Sequence, residues 1–153
     1  MRNIINKTHY IKVSIIIPCL NAEKFIEHCL HSVTNQTLKD IEIICVDGGS
    51  TDKTIEIINN FKSLDNRIKL IISDKKSYGY QVNLGFKRAE GFYLAIVEPD
   101  DYIEFNMYEK LYGIANRLKV DFVKSNFIKF YKDEQGNTIS TLVKLCDDNS
   151  VYN

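Results

Sequence analysis

Ile41-Glu42-Ile43-Ile44-Cys45-Val46-Asp47-Gly48-Gly49-Ser50-Thr51-Asp52 reads as a strand, a turn and the start of a helix. Ile41 to Val46 is rich in β-branched residues, as expected of a strand covered on both faces. Gly48-Gly49 lets the chain turn tightly or lets its backbone approach a ligand. Asp52 stands where a cap is wanted for a helix over Thr54 to Phe61. The same pattern repeats outward. Towards the N-terminus, Lys12 to Ile17 is a second such strand. Asn21 is the expected cap of a helix carrying Phe25, Ile26, Cys29, Leu30 and Val33. Towards the C-terminus come a strand over Arg67 to Ile72, a helix over Gly79 to Glu90 interrupted by Gly85, and a strand over Phe92 to Val97. Glu98-Pro99-Asp100-Asp101 follows directly. A helix over Asn106 to Leu118 is next, with Met107, Leu111, Ile114 and Leu118 on one stripe. Phe122 to Phe130 is a strand candidate, Glu134 to Asn137 a hairpin turn, and Thr138 to Leu145 the returning strand.

Strand–helix alternation of this kind predicts an α/β fold with a mainly parallel central sheet. The chain has 153 residues, 44% hydrophobic and 26% charged, which is one domain's worth, expected over 1–153. Lys+Arg and Asp+Glu both number 20, so no basic excess points to nucleic acid. No apolar run approaches the roughly 18 residues of a membrane span, and Met1 to Lys7 lacks the apolar core of a secretory signal. Cys19, Cys29, Cys45 and Cys146 contain no C-x-x-C. Cys29 lies close to His31, but no second pair does. The cysteines therefore read as reduced thiols packed as small hydrophobes in a cytoplasmic protein.

Parallel sheets bind ligands beyond the carboxyl ends of their strands, so the loops there are informative. They are Pro18 to Asn21, Asp47 to Asp52, Ser73 to Tyr78 and Glu98 to Asp101. Carboxylates recur among them. If they converge, they repel one another unless a cation or a ligand neutralises them. Divalent cations favour oxygen ligands, and magnesium completes its shell with water and phosphate. Asp52 reads as a cap and Asp74 as part of a solvated turn beside Lys75 and Lys76. Asp100 and Asp101 stand too early to cap the next helix, so they read as functional. The first loop has no G-x-G-x-x-G, and no G-x-x-x-x-G-K-[ST] occurs. His9, His28 and His31 lie apart from these loop motifs, which argues against a Ser-His or Cys-His nucleophile.

Taken together and in order, the motifs resemble family 2 glycosyltransferases. Val13 to Asn21 is similar to their V-S-I-I-I-P-x-Y-N. Ser32 to Thr37 is similar to S-x-x-x-Q-T, and Val46 to Asp52 to V-D-[DG]-G-S-T-D. Asn83-Leu84-Gly85 and Ala89 to Tyr93 match N-x-G and A-x-G-x-Y. Glu98 to Asp101 stands where relatives carry D-x-D-D. The resemblance implies the GT-A fold, a Rossmann-like three-layer α/β/α sandwich. It also implies a nucleotide-sugar donor (commonly a UDP-sugar), a divalent metal (Mn2+ or Mg2+) and inversion at the anomeric carbon. Pro18, Leu20 and Asn21 would then line the base pocket, and Asp47 would accept from the base. Glu98 would face the ribose or join Asp100 at the metal that bridges the diphosphate.

Three departures stand out. Glu98 replaces the usual Asp. Leu20 replaces a Tyr that could stack on the base. Val82 stands where many relatives have Arg, leaving Lys75, Lys76 or Arg88 as substitute cations. The implied role is transfer of a sugar to a glycan or lipid-linked acceptor in surface polysaccharide or lipopolysaccharide synthesis. The implied setting is the cytoplasm, with peripheral association at the inner face of the membrane. The acceptor side looks short. Asp133, Glu134, Asp147 and Asp148 are the downstream acids, of which Asp133-Glu134 fit a hairpin turn, and no catalytic base is assigned. The alternative is a truncated or degenerate nucleotide-binding module without transfer. A nucleotidyltransferase is disfavoured, since the first loop lacks glycine and cations.

Overall fold

A computed structural model describes residues 10–145. Cys146, His9 and the Asp147-Asp148 pair lie outside them. The elements run β1 (Val13–Cys19), α1 (Ile26–Thr34), β2 (Ile41–Asp47), α2 (Thr54–Leu64), β3 (Ile68–Ile72), α3 (Tyr78–Arg88), β4 (Tyr93–Ile96), α4 (Met107–Leu118), β5 (Phe127–Lys132) and β6 (Thr138–Val143). The chain divides into two compact units, Met1–Tyr112 and Gly113–Asn153.

In the first unit, four parallel strands lie in the order β3-β2-β1-β4. Every residue of β1 and β2 is buried, because both faces of these strands are covered. Side chains alternate across a strand. Val13, Ile15, Ile17 and Cys19 therefore face one core with Ile26, Cys29, Leu30 and Val33 of α1 and Ile58 of α2. Ile16, Ile44 and Val46 face a smaller core, with Leu84 of α3 packed against it. Two helices on one side and α3 on the other give the three-layer α/β arrangement expected. Gly85, the expected interruption of α3, is instead a packing residue: a Cβ there would come within 2.6 Å of Ile16 Cγ2. The helix crosses β1 too closely for any side chain.

The smaller core is closed at its lower end by polar groups. Ser14 and Glu42 are register partners on β1 and β2, 0% and 2% exposed. The Ser14 hydroxyl donates to Glu42 Oε1 at 2.5 Å, the Glu90 N–H donates to the same oxygen at 2.6 Å, and Lys69 Nζ lies 2.8 Å from Oε2. Burial opposes the Glu42 charge, but Lys69, Ser14 and the Glu90 amide outweigh it and hold its carboxyl below the usual range.

In the second unit, β5 and β6 form an antiparallel hairpin from Phe127↔Val143 to Lys132↔Thr138. The strand expected over 122–130 begins only at Phe127. A strand needs a ladder partner, and β6 runs out at Val143, opposite Phe127. The turn is as expected. The Asp133 carboxylate accepts from the backbone N–H groups of Gln135 and Asn137 at 3.0 and 2.7 Å, so Asp133 builds the turn.

Candidate donor-binding site

The strand order reverses direction at β1: the chain builds outward through β2 and β3, then returns through α3 to set β4 on the other side of β1. Such a switch point parts the loops at the strand ends and leaves a crevice. A cleft of about 340 Å³ opens there. The end of β1 supplies Pro18, the segment after it Leu20, Asn21, Ala22 and Phe25, and the segment after β4 Glu98, Pro99 and Asp100. Lys76, just before α3, and Tyr78 and Gln81 in its first turn complete the lining. Thus Pro18, Leu20, Asn21, Glu98 and Asp100 come together as one site.

Asp47 is the site residue of the sequence reading that does not join this lining. It is fully buried. Its Oδ1 accepts the Gly49 and Ser50 N–H groups, both at 2.8 Å, and its Oδ2 accepts the Ser50 hydroxyl at 2.5 Å. The carboxylate closes its own turn, in which Gly49 adopts φ 87°. This leaves about one of its four lone-pair sites free.

Asn21 does not cap α1. It sits at φ 50°, and its Oδ1 accepts the Thr51 N–H at 2.9 Å while its own N–H donates to Ser50 Oγ at 2.8 Å. Asp52 stands one residue before Lys53, the N-cap of α2, which carries no side-chain cap bond; its Oδ1 accepts the Thr54 N–H at 3.0 Å and its Oδ2 accepts the Glu23 N–H at 3.0 Å, so it ties the two loops together. The loops after β1 and β2 are therefore laced into one wall of the cleft. A helix cap was the local expectation for Asn21, but a stronger set of partners lies across the sheet.

The opposite wall is held from below. Gln36, in the S-x-x-x-Q-T segment, is fully buried. Its Nε2 donates to the Glu104 carbonyl at 2.8 Å and its Oε1 accepts the Tyr108 N–H at 3.1 Å. The Thr37 N–H donates to the Phe105 carbonyl at 2.8 Å. The motif is thus a clamp on the segment that follows Asp101. Gln36→Ala should strand a buried N–H and a carbonyl and cost about 2–3 kcal/mol. A urea titration checks this; a midpoint within error of the parent would remove the clamp.

The charges in the cleft are ordered by neighbours. The Tyr78 hydroxyl donates to Glu98 Oε1 at 2.5 Å, and this bond, more than burial, pushes the phenol up to about 12. Tyr78 takes up the extra methylene by which Glu98 differs from Asp. Burial and the neighbouring Asp100 raise Asp101. Below the site, burial pushes the Cys29 thiol up to about 12 and raises Cys19 and Cys45 as well. These cysteines are packing groups rather than nucleophiles.

Glu98 and Asp100 are hard oxygen donors in one cleft. Among the described residues no group of three or more His, Cys, Asp and Glu can hold an ion by itself. The donor set fits a divalent cation that completes its shell with water and the ligand's own oxygens. Of the substitute cations, Lys76 lines the cleft. Lys75 Nζ sits over the Tyr80 ring, 4.6 Å from its centroid, and Arg88 ends α3, away from the strand ends.

Comparison with known proteins agrees with this arrangement. The family described as glycosyl transferase family 2 matches residues 14–150. The uncharacterized glycosyltransferase EpsJ of Bacillus subtilis is 38% identical over 123 residues, which cover 80% of this chain and 36% of EpsJ. Glycosyltransferase GlyG of Streptococcus pneumoniae is 36% identical over 126 residues, covering 82% of this chain and 42% of GlyG. The chain spans well under half the length of these relatives. The structure of S. aureus TarS 1-349 in complex with UDP-GlcNAc aligns with a TM-score of 0.65 at 26% identity, covering 76% of this chain and 33% of that one. The ordered motifs, the parallel sheet with its switch-point cleft and these likenesses have one common explanation: the chain belongs to glycosyl transferase family 2 and has its GT-A-like α/β fold.

Proposed function

We propose that this chain is the donor-binding part of a metal-dependent, inverting glycosyltransferase. It takes a nucleotide-diphosphate sugar, in first place a UDP-sugar, for transfer to a glycan or lipid-linked acceptor of a surface polysaccharide. The observation that carries this reading is the cleft in which the loops after β1 and β4 meet, with two carboxylates and one lysine in its lining. The UDP-GlcNAc held by TarS supports the choice of donor.

Each group has a task suited to its chemistry. Pro18, Leu20 and Asn21 offer a largely apolar wall to the base, and Asp47 holds the adjoining loop in shape. Glu98, steadied by Tyr78, accepts hydrogen bonds from the ribose hydroxyls. Asp100, with Glu98 beside it, would hold Mn2+ or Mg2+. When bound, the cation supplies positive charge against the diphosphate as it leaves the sugar. Lys76 adds a second cation on the phosphate side. Unpaired buried cysteines are in keeping with a reducing compartment, so the cytoplasm is the proposed setting, with peripheral contact at the inner face of the membrane. No helix among the described residues is long and apolar enough to cross one.

Calorimetric titration with UDP, with and without manganese, tests the reading. Metal-enhanced binding is expected. No binding of UDP or of any other nucleoside diphosphate would refute it. The lysine assignment has its own check. Lys76→Met should weaken UDP about tenfold, the cost of one charged contact, leave uridine unchanged and flatten the salt dependence. Lys75→Met should do none of these.

A further inference from the structure

Gln81 is 3% exposed and yet lines the cleft. It stands one turn beyond Tyr78 on α3, on the buried face that also carries Val82 and Gly85. A Cβ on Gly48 would run into Gln81 Nε2 and reach 3.5 Å from the Cys19 carbonyl oxygen. The amide therefore packs directly on the backbone where the loop after β2 meets the end of β1, a junction closed by the Gly48 N–H donating to the Cys19 carbonyl at 2.8 Å. The neighbouring groups are mostly committed to protein partners: Asp47 within its turn, Asn21 to Thr51, Tyr78 to Glu98. No hydrogen bond joins the Gln81 amide to another described residue. The residue is almost buried, yet it lines the cleft, so its amide is open to hydrogen bonds from a bound ligand.

The kind of ligand group follows from the chemistry around it. Glu98 and Asp100 suit hydroxyls or a cation, and Lys76 suits phosphate. A neutral amide presents one acceptor and a pair of donors side by side. It matches a group that shows a donor beside an acceptor in one plane, which is the edge of a nucleobase. We infer that Gln81 is a specificity-determining residue that reads the base of the donor, its NH2 donating to the uracil C4 carbonyl. The inference rests on the donor-site reading above. It also explains the glycine at position 48: any side chain there would push the amide out of position.

Titration of the wild type, Gln81→Leu, Gln81→Glu and Gly48→Ala with UDP, CDP and pyrophosphate, all with manganese, tests it. Gln81→Leu should weaken UDP about tenfold and leave pyrophosphate unchanged. Glutamate accepts only, so it suits the amino group of cytosine and not the carbonyl of uracil. Gln81→Glu should therefore move the ratio of UDP to CDP affinity about tenfold towards CDP. Gly48→Ala should weaken UDP in the same sense as Gln81→Leu. The inference is overturned if Gln81→Leu binds UDP as the wild type does, if pyrophosphate is lost in parallel, or if the UDP to CDP ratio in Gln81→Glu does not move. A wild type that binds no nucleoside diphosphate overturns the donor-site reading itself; a wild type that binds UDP beside an equally competent Gln81→Leu overturns this inference alone.

Discussion

Asp100→Asn is expected to abolish the enhancement of UDP binding by manganese while leaving the fold intact. The substitution keeps the size of the side chain and removes its charge. Asp100 is exposed in the cleft, so no packing is lost with it. A charged contact of this kind is worth up to about 3 kcal/mol, which corresponds to roughly a hundredfold in affinity. The loss should appear only in the presence of metal: without manganese, variant and parent should bind UDP alike. Calorimetry in both conditions, with circular dichroism as the folding control, checks the prediction. A variant that retains the full manganese response would show that Asp100 does not hold the ion. Asp101 is the natural comparison, because burial and Asp100 raise its carboxyl. Asp101→Asn should therefore disturb metal binding less.

Glu42→Ala is expected to cost about 3 kcal/mol of stability, or roughly 10 °C in melting temperature for a chain of this size. The carboxylate is 2% exposed and satisfies the Ser14 hydroxyl, the Glu90 N–H and the Lys69 ammonium together. Removing it leaves the buried Ser14 hydroxyl and the part-buried Glu90 N–H without this acceptor at the sheet's lower end, far from the cleft. Glu42→Gln keeps one acceptor oxygen and should lose less. The pH dependence follows from the sign of the shift. The folded-state pKa lies below the ordinary glutamate value of 4.5, so the contribution is fully present above about pH 4.5 and is lost as the pH falls through the lower folded value. Asp65, lowered chiefly by its hydrogen bonds to Arg67, adds to the same acid limb. Thermal melts from pH 7 to pH 3 should show wild type and Glu42→Ala converging at the acid end. Parallel curves would mean that Glu42 acts through packing rather than through its charge.

These sites differ in how far the sequence announced them. The element order, the parallel sheet and the loops at its strand ends were legible because their signals are local: β-branched runs for doubly covered strands, helical spacing of apolar residues, Gly and Asp at turns. Glu98 and Asp100 were expected to share a cleft because they follow β4 within four residues and the sheet rule sends such loops to one edge, and both line it. Asp52 fell one residue short of the N-cap, Lys53, and joins the loop before α1 instead. Asn21 misled, since the same side chain that caps a helix locally can accept instead from Thr51 in another loop.

What remained closed to the sequence is the set of partners far apart along the chain. Gln36 clamps Glu104, 68 residues away. Tyr78 steadies Glu98, 20 residues away, and Ser14 meets Glu42 across the strands. The choice of Lys76 over Lys75 turned on which of two adjacent side chains the Tyr80 ring attracts. Gln81 looked like an ordinary helical residue until Gly48 was seen packed against it. Periodicity and turn chemistry act over a few residues, so the chain's own order displays them. Burial and hydrogen bonding act through space, and they exist only once β1, β2 and β4 have been brought side by side.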